Sequence, residues 1–175
     1  MPATYYKIAA ATVGSGGVSN IEFTSIPGTY TDLVVKLSLK TNRTTDYVDD
    51  FEITFNNSTT GYSLKGLANY NGTVRSDQNA SSPNIYANAA TASHASQTAN
   101  TFANSEIYIP NYASSNNKSV SVDSTTEQNG TQIWQDFVAG LWSNSAAITS
   151  IKLVPDVGTI FTQYSTATLY GIKNS

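Results

Sequence analysis

The sequence predicts an all-β protein, an antiparallel β-sandwich whose preferred form is a jelly roll of about eight strands in two facing sheets. Three observations predict this class. Apolar residues recur with a period of two instead of 3.6, the runs are short and rich in β-branched and aromatic residues, and Gly, Pro, Asn or Ser separates one run from the next. Because both ends of the chain alternate like strands, we expect one sheet-based body that closes with its own termini.

The clearest strand pattern lies at residues 32–40. Leucine and valine side chains at the odd positions share one face there, and lysine and serine side chains lie on the other, which is typical of a half-buried strand. The other runs with strand character are residues 5–8, 11–13, 18–23, 26–33, 51–55, 106–109, 118–122, 132–141, 149–154, 160–164 and 166–172. Because some of these runs are short or adjoin one another, we expect about eight or nine strands in total.

Length and composition limit the classes of function. At 175 residues the chain suits one domain, residues 1–175. Nine Lys and Arg against twelve Asp and Glu cannot form the cationic surface that nucleic acid requires, and no apolar run is long enough for a membrane span. Cysteine is absent, which excludes disulfides, thiolate metal sites and cysteine nucleophiles. We therefore expect no nucleic-acid partner, no membrane partner and no cofactor.

Residues 76–105 form a polar tract of Ser, Ala, Asn, Thr and Gln, in which Ile85, Tyr86 and Phe102 are the bulky apolar residues. So few apolar side chains cannot offset the entropy lost when the tract becomes ordered by itself. We therefore predict a long polar loop at about 76–105. Two interpretations stay open: the loop orders against a neighbouring subunit or another protein, or it is a mobile excursion.

No motif has the composition of a catalytic site, and we predict that the chain is not an enzyme. The only histidine, His94, lies in the polar tract, where nothing adjacent provides the rigid, partly dry pocket of a Ser-His-acid triad. We interpret it as a solvated loop residue. Residues 14–17 are rich in glycine but lack the lysine and hydroxyl of a phosphate-binding loop. They predict a flexible turn between two strands.

Four carboxylates, Asp46, Asp49, Asp50 and Glu52, cluster ahead of and within a predicted strand. Since successive strand residues point to opposite faces, Asp50 and Glu52 share a side that Asp49 does not. The ordinary interpretation is a charged strand edge that discourages aggregation between sheets. Weak calcium ligation and glycoside hydrolysis by a carboxylate pair, as in a glycan depolymerase, are the alternatives.

Aromatic residues provide the candidate contact sites, since the chain has eleven Tyr, six Phe and two Trp. Tyrosine buries a large ring and keeps a polar tip, which suits protein and sugar contacts as well as the rim of a core. The two tryptophans lie eight positions apart in one predicted strand, where they serve as core or interface anchors or line a carbohydrate site. The residues predicted to bind a partner are Tyr5, Tyr6, Trp134 and Trp142, together with Tyr62, Tyr70, Tyr86 and Tyr112 in polar contexts predicted to be loops.

Five segments carry a resemblance to a known group of proteins. They are residues 26–33 (IPGTYTDL), 51–57 (FEITFNN), 62–64 (YSL), 107–112 (IYIPNY) and 169–172 (LYGI), and they span nearly the whole chain. With these segments the chain resembles small structural proteins of tailed bacteriophages, especially phages of cyanobacteria and marine bacteria. The shared motifs are structural and include no catalytic signature, so the resemblance transfers no functional residue.

The resemblance implies a virion protein, for which two roles stay open. Similar sequences occur as capsid decoration or cement proteins and as modules of tail fibres. The first role implies a homotrimer that bridges capsomers of the major capsid protein on the outer capsid surface, after assembly in the host cytoplasm. The second implies a receptor-binding tip or lectin-like module that contacts host-surface glycan. A strand-like run already at residues 5–8 leaves little room for a shaft or attachment segment and favours the cement role.

Overall fold

A computed structural model describes residues 4–91, 98–127, 129 and 133–173 of the chain. Within these ranges all extended regular structure is β-strand, which confirms the predicted all-β class, and no helix is long and apolar enough to cross a membrane. The strands of the described residues are β1 (Tyr5–Thr12), β2 (Ile21–Phe23), β3 (Asp32–Leu39), β4 (Val48–Phe55), β5 (Tyr62–Tyr70), β6 (Thr73–Ser82), β7 (Ile85–Thr91), β8 (Ala103–Ile109), β9 (Lys118–Glu127), β10 (Ile133–Trp142), β11 (Ile151–Pro155) and β12 (Thr166–Ile172).

The strands form two antiparallel sheets that face each other as a sandwich, which confirms the predicted architecture. The large sheet has the order β1-β12-β3-β8-β9-β10-β5-β6, and the small sheet has the order β2-β11-β4-β7. Alternate residues of both sheets point into one shared core, in which Leu33 of β3 and Phe51 and Phe55 of β4 are fully buried. These twelve strands in the described ranges exceed the predicted eight or nine. The jelly-roll connectivity stays a prediction.

The two ends of the chain pair with each other, as the sequence predicts. β1 runs antiparallel to β12, from the pair Tyr5 and Ile172 to the pair Thr12 and Thr166. β12 then pairs with β3 on its other side. The last strand of the sequence is therefore held between two early ones, and its Ala167 and Leu169 are fully buried.

Two of the predicted runs are not strands. Residues 26–31 form a loop that leads into β3. At residues 160–164 the described pairing consists of two isolated bridges, which join Phe161 to Val18 and to Thr41. Both segments nevertheless bury an apolar side chain, Ile26 or Phe161, in the core. Loops that face a core share this apolar character with strands, so the sequence pattern does not separate the two.

The prediction of a loop at residues 76–105 is wrong for much of that range. Residues 76–82 complete β6, residues 85–91 form β7, and β8 begins at Ala103; His94 lies outside the described residues. β6 needs no apolar face because backbone hydrogen bonds to β5 hold it while its side chains stay largely exposed. Among residues 85–87 of β7, whose burial the structure describes, Ile85 and Ala87 are buried. A Cβ at Gly140 of β10 would lie 2.6 Å from Ile85 Cδ1, so the glycine gives Ile85 its space.

The glycine-rich residues 14–17 form the predicted turn between β1 and β2. Gly16 and Gly17 have φ angles of 97° and 74°, which residues with a side chain rarely adopt. A Cβ at Gly17 would also lie 2.6 Å from Ile160 Cδ1 and 2.7 Å from the carbonyl oxygen of Phe161. Backbone conformation and close packing therefore both require glycine at position 17.

Candidate functional site

Three of the eight aromatic residues predicted to contact a partner are buried in the core. Tyr62, Tyr112 and Trp142 are each at most 2% exposed. The Trp142 ring stacks on Tyr62 with centroids 6.1 Å apart, and the Tyr112 hydroxyl donates a hydrogen bond to the carbonyl of Pro27. The contact prediction is wrong for these three, because the fold turns them inward although Tyr62 and Tyr112 stand in polar sequence contexts. For Trp142 the core-anchor interpretation is confirmed.

Tyr5 and Tyr6 lie on β1, at one edge of the large sheet. Tyr5 is 50% exposed, and its ring meets Tyr170 edge to face at a centroid distance of 6.0 Å. The ring of Tyr6 lies 5.8 Å from that of Tyr30. These aromatic side chains are therefore partly covered by their own chain, and β1 is separated from β6 by the full width of the sheet.

The remaining three aromatic residues, Tyr70, Tyr86 and Trp134, converge at the β6 end of the large sheet. Trp134 of β10 and Tyr70 of β5 are direct cross-strand partners, and their ring centroids lie 4.6 Å apart. Arg75 of β6 places its guanidinium carbon 4.8 Å from the Tyr70 ring centroid and 5.9 Å from that of Trp134. The Tyr86 hydroxyl donates to Asp77 Oδ2 at 2.7 Å. Pairing of β5 with β6 and β10, together with the packing of β7 from the small sheet beside them, thus gathers aromatic, basic and acidic groups from four strands.

Arg75, Asp77, Tyr86 and Trp134 border a pocket of about 220 Å³, which we name the aromatic pocket. It lies beside β7, on the side of β5, β6 and β10 that carries Trp134 and Asp136. Its lining residues are Leu64, Gly66, Ala68, Arg75, Ser76, Asp77, Tyr86, Trp134, Asp136 and Val138. Gly66 leaves space in the wall, because a Cβ added there would lie 3.7 Å from Asp136 Oδ1. A buried carboxylate, that of Asp136 at 4% exposure, therefore borders the space beside Gly66.

The surroundings of the aromatic pocket are acidic. Burial, together with the negative charges of Asp156, Asp136 and Asp49, raises the pKa of Asp50 on β4 to about 7, and the charge of Arg43 opposes this only in part. Asp50 Oδ1 is buried and has no hydrogen-bond partner among the described residues. A carboxylate at this position is therefore half protonated near neutral pH.

The Tyr86 hydroxyl at the pocket wall stays protonated. Burial, its hydrogen bond to Asp77 and the neighbouring carboxylate charges raise the pKa of Tyr86 to about 12. At neutral pH the hydroxyl is consequently a donor, and it holds the Asp77 carboxylate in place. This fixes one acceptor group at the pocket wall.

The predicted carboxylate cluster does not form one site. Asp49 is fully buried and accepts hydrogen bonds from the backbone N–H groups of Val157 and Gly158 at 3.1 and 2.8 Å, and its Oδ1 lies 3.7 Å from Arg43. β4 is an interior strand between β11 and β7, so the predicted charged strand edge is wrong. In the part of the chain that the structure describes, no group of three or more His, Asp or Glu side chains could hold a metal ion.

The other face of the large sheet carries a second candidate surface. Four exposed apolar side chains on β5, β6 and β10 define the outer patch: Leu67, Val74, Ile133 and Phe137. Leu67 and Phe137 are direct cross-strand partners and are 51% and 55% exposed. On the neighbouring strand β9, Asp123 lies opposite Phe137 and Glu127 lies opposite Ile133. The exposed Lys65 lies on the same face, two positions before Leu67 on β5. The outer patch is therefore apolar, with acidic residues on the β9 side and a lysine on β5.

Sequence reasoning missed Arg75, Asp77 and Asp136 at the pocket and Leu67 and Phe137 on the outer face. A signal for the outer patch was present, because β10 has apolar side chains at both odd and even positions and therefore on both of its faces. Asp136 lies two positions from Trp134 and therefore on the same face of β10, which alternation alone predicts. Arg75 and Asp77 had no such signal, since they meet Trp134 only through the pairing of β5 with β6 and β10.

Comparison of the chain with protein-family models, with curated proteins and with solved structures finds no match. The sandwich, the aromatic pocket and the outer patch are therefore interpreted from their own residues. Both surfaces use the same three strands, β5, β6 and β10, but on opposite faces of the large sheet.

Proposed function

We propose that this chain is a non-catalytic structural protein of a virus particle, a capsid decoration or cement protein that binds the major capsid protein through the outer patch. The outer patch is the observation that supports the proposal. Clustered apolar side chains on a polar surface mark protein interaction sites, and here they lie on a sheet face that loses little entropy on binding. That the particle is a virus particle is inferred from the resemblance to structural proteins of tailed bacteriophages.

The chemistry of the outer patch specifies the partner surface. Leu67 and Phe137 lie side by side and form the apolar anchor that stable interfaces place at their centre. Asp123 and Glu127 lie along one margin. Charge complementarity then requires a partner with apolar side chains, with Lys or Arg facing the β9 margin and Asp or Glu facing Lys65 of β5. We assign this surface to the major capsid protein on the outside of the shell.

The proposed assembly is a homotrimer. β1 and β6 end the large sheet, so each has one row of backbone groups without a strand partner in the described residues, and such edges pair readily with another chain. A trimer on a three-fold axis of the shell would present three outer patches at once. Contacts after the first become intramolecular, so weak individual contacts retain the protein on the particle.

The deciding experiment counts the copies of the chain on each virus particle. Particles of the virus whose genome encodes the chain are purified, and quantitative mass spectrometry gives the ratio of the chain to the major capsid protein. Hundreds of copies support a cement role, and native mass spectrometry of the free protein should give a trimer. Absence from the particle, or about a dozen copies, would contradict the cement role, and the second result would place the chain in the tail.

A matched set of variants tests the outer patch. Particles that lack the chain are incubated with the wild type, with the double variant Leu67→Ser/Phe137→Ser, or with Val157→Ser, which changes an exposed apolar residue in the loop after β11. We expect the double variant to lose about tenfold or more in bound copies and the control to bind normally. Equal binding of all three proteins contradicts the assignment, provided that the double variant keeps the wild-type denaturation midpoint.

A further inference from the structure

We infer that the aromatic pocket is a binding site for a neutral sugar, one pyranose ring of a glycan. The inference uses none of the outer-patch residues, because the two surfaces lie on opposite faces of the large sheet. It goes beyond the proposed function and can fail separately from it.

The size of the pocket limits the ligand to a single ring. Its volume of about 220 Å³ is below the roughly 300 Å³ at which pockets for drug-sized ligands begin. Part of this space exists because residue 66 is glycine and has no side chain. The φ angle of Gly66 lies outside the left-handed region. The backbone therefore does not require glycine at this position, and what the missing side chain provides is room beside Asp136.

The polar groups of the pocket require a ligand that both donates and accepts hydrogen bonds. The carboxylates of Asp77 and Asp136 are acceptors, whereas the Arg75 guanidinium is a donor. Sugar hydroxyls perform both roles.

Charged ligands fit this set of groups less well. An ammonium group only donates, so it cannot accept from the Arg75 guanidinium at the pocket wall, whose positive charge also repels it. A carboxylate or phosphate only accepts, and it would face the negative charges of Asp77 and Asp136 at the pocket wall. A neutral polyol has neither conflict.

The aromatic wall supplies the apolar contact that a sugar ring needs. The C–H groups of a pyranose form an apolar face, and Trp134 at the wall offers a large aromatic surface. Tyr70, at a centroid distance of 4.6 Å, and the guanidinium of Arg75 pack against the tryptophan. These contacts hold the indole in position before the ligand arrives, which lowers the entropic cost of binding.

The test uses the full chain and free sugars as probes. The methyl glycosides of glucose, galactose, mannose, N-acetylglucosamine and N-acetylgalactosamine are compared with methylammonium and acetate by saturation-transfer NMR and by tryptophan fluorescence. We expect at least one glycoside to bind with a Kd of about 1 mM, and neither charged probe to bind. Binding of a charged probe without any glycoside, or of no glycoside at all, overturns the inference.

Matched variants locate the binding. Gly66→Val fills the pocket and Trp134→Ala removes its aromatic wall, whereas Ala139→Val enlarges a side chain on the outer face of β10. We expect each pocket variant to weaken glycoside binding about tenfold or more and Ala139→Val to bind like the wild type. Wild-type affinity of a folded Gly66→Val variant overturns the assignment; the Trp134→Ala variant repeats the test if the valine variant does not fold.

Discussion

Replacing Asp50 by Asn is expected to stabilise the fold at neutral pH. The carboxylate of Asp50 is largely buried, its Oδ1 has no hydrogen-bond partner among the described residues, and burial with the charges of Asp156 and Asp136 raises its pKa to about 7. Folding therefore disfavours the charged form of this side chain. An asparagine keeps the shape of the side chain and removes the charge.

The magnitude follows from the linkage between proton binding and folding. The ordinary pKa is 3.8 and the pKa in the folded chain is about 7, so between these values the folded state binds the proton more tightly than the unfolded state. Stability from protonated Asp50 is complete below pH 3.8 and is lost as the pH rises through 7. At about 1.4 kcal/mol per pH unit, the loss is about 4 kcal/mol, as an upper limit because the group is partly exposed.

The assay is urea denaturation of the wild type and Asp50→Asn at pH 4, 5.5 and 8. We expect similar free energies of unfolding at pH 4 and an advantage for the variant that grows to a few kcal/mol at pH 8. For a domain of this length that advantage raises the Tm by roughly 2–4 °C per kcal/mol. The other titratable groups are present in both proteins, so their effect cancels when one free energy of unfolding is subtracted from the other.

The neighbouring carboxylate provides a control of opposite sign. Asp49 accepts two backbone N–H hydrogen bonds and lies beside Arg43, so Asp49→Asn is expected to lose about 1.5–3 kcal/mol at pH 8. An Asp50→Asn variant that is less stable than the wild type at pH 8, or that leaves the pH dependence unchanged, would show that the fold stabilises the anion. The reasoning from burial would then be wrong.

Two further predictions concern stability and are measured by urea denaturation. Gly17→Ala is expected to lower the free energy of unfolding by about 1–3 kcal/mol, because the added Cβ meets Ile160 at a φ of 74°, whereas Gly14→Ala, with open space around the Cβ, is expected to stay within about 0.5 kcal/mol. Equal effects would contradict this. Lys118→Ala removes the ammonium donor of three backbone carbonyls and is expected to cost about 2–4 kcal/mol; a wild-type midpoint would contradict the role of that side chain.

Strands with one buried face were predictable from the sequence. In β3 and β12 the alternation of apolar residues records which side chains face the core, and the structure confirms both. β6 was not predictable, because an edge strand held by backbone hydrogen bonds needs no apolar face. The same polar composition is compatible with a loop, so it predicted the wrong structure for residues 76–82.

The candidate site was predictable only as a set of residue types. Composition identified aromatic side chains as contact residues, but Tyr62 and Trp142 lie in the core while Trp134 lines the pocket. Trp134 and Trp142 share one face of β10, and they differ in exposure because different parts of the fold pack against the two ends of that strand. The period of apolar residues along β10 does not predict which other elements pack there.

The sequence by itself determined the all-β class and the strand character of both chain ends, because alternation along a strand is a local consequence of burial. Tertiary structure alone decided where the polar and aromatic groups meet. Gly66, Arg75, Tyr86 and Trp134 belong to four strands, and they border one pocket only because hydrogen-bonded register aligns β5 with β6 and β10, beside β7. Register is a relation between strands, so the spacing of residues within any one of them does not contain it.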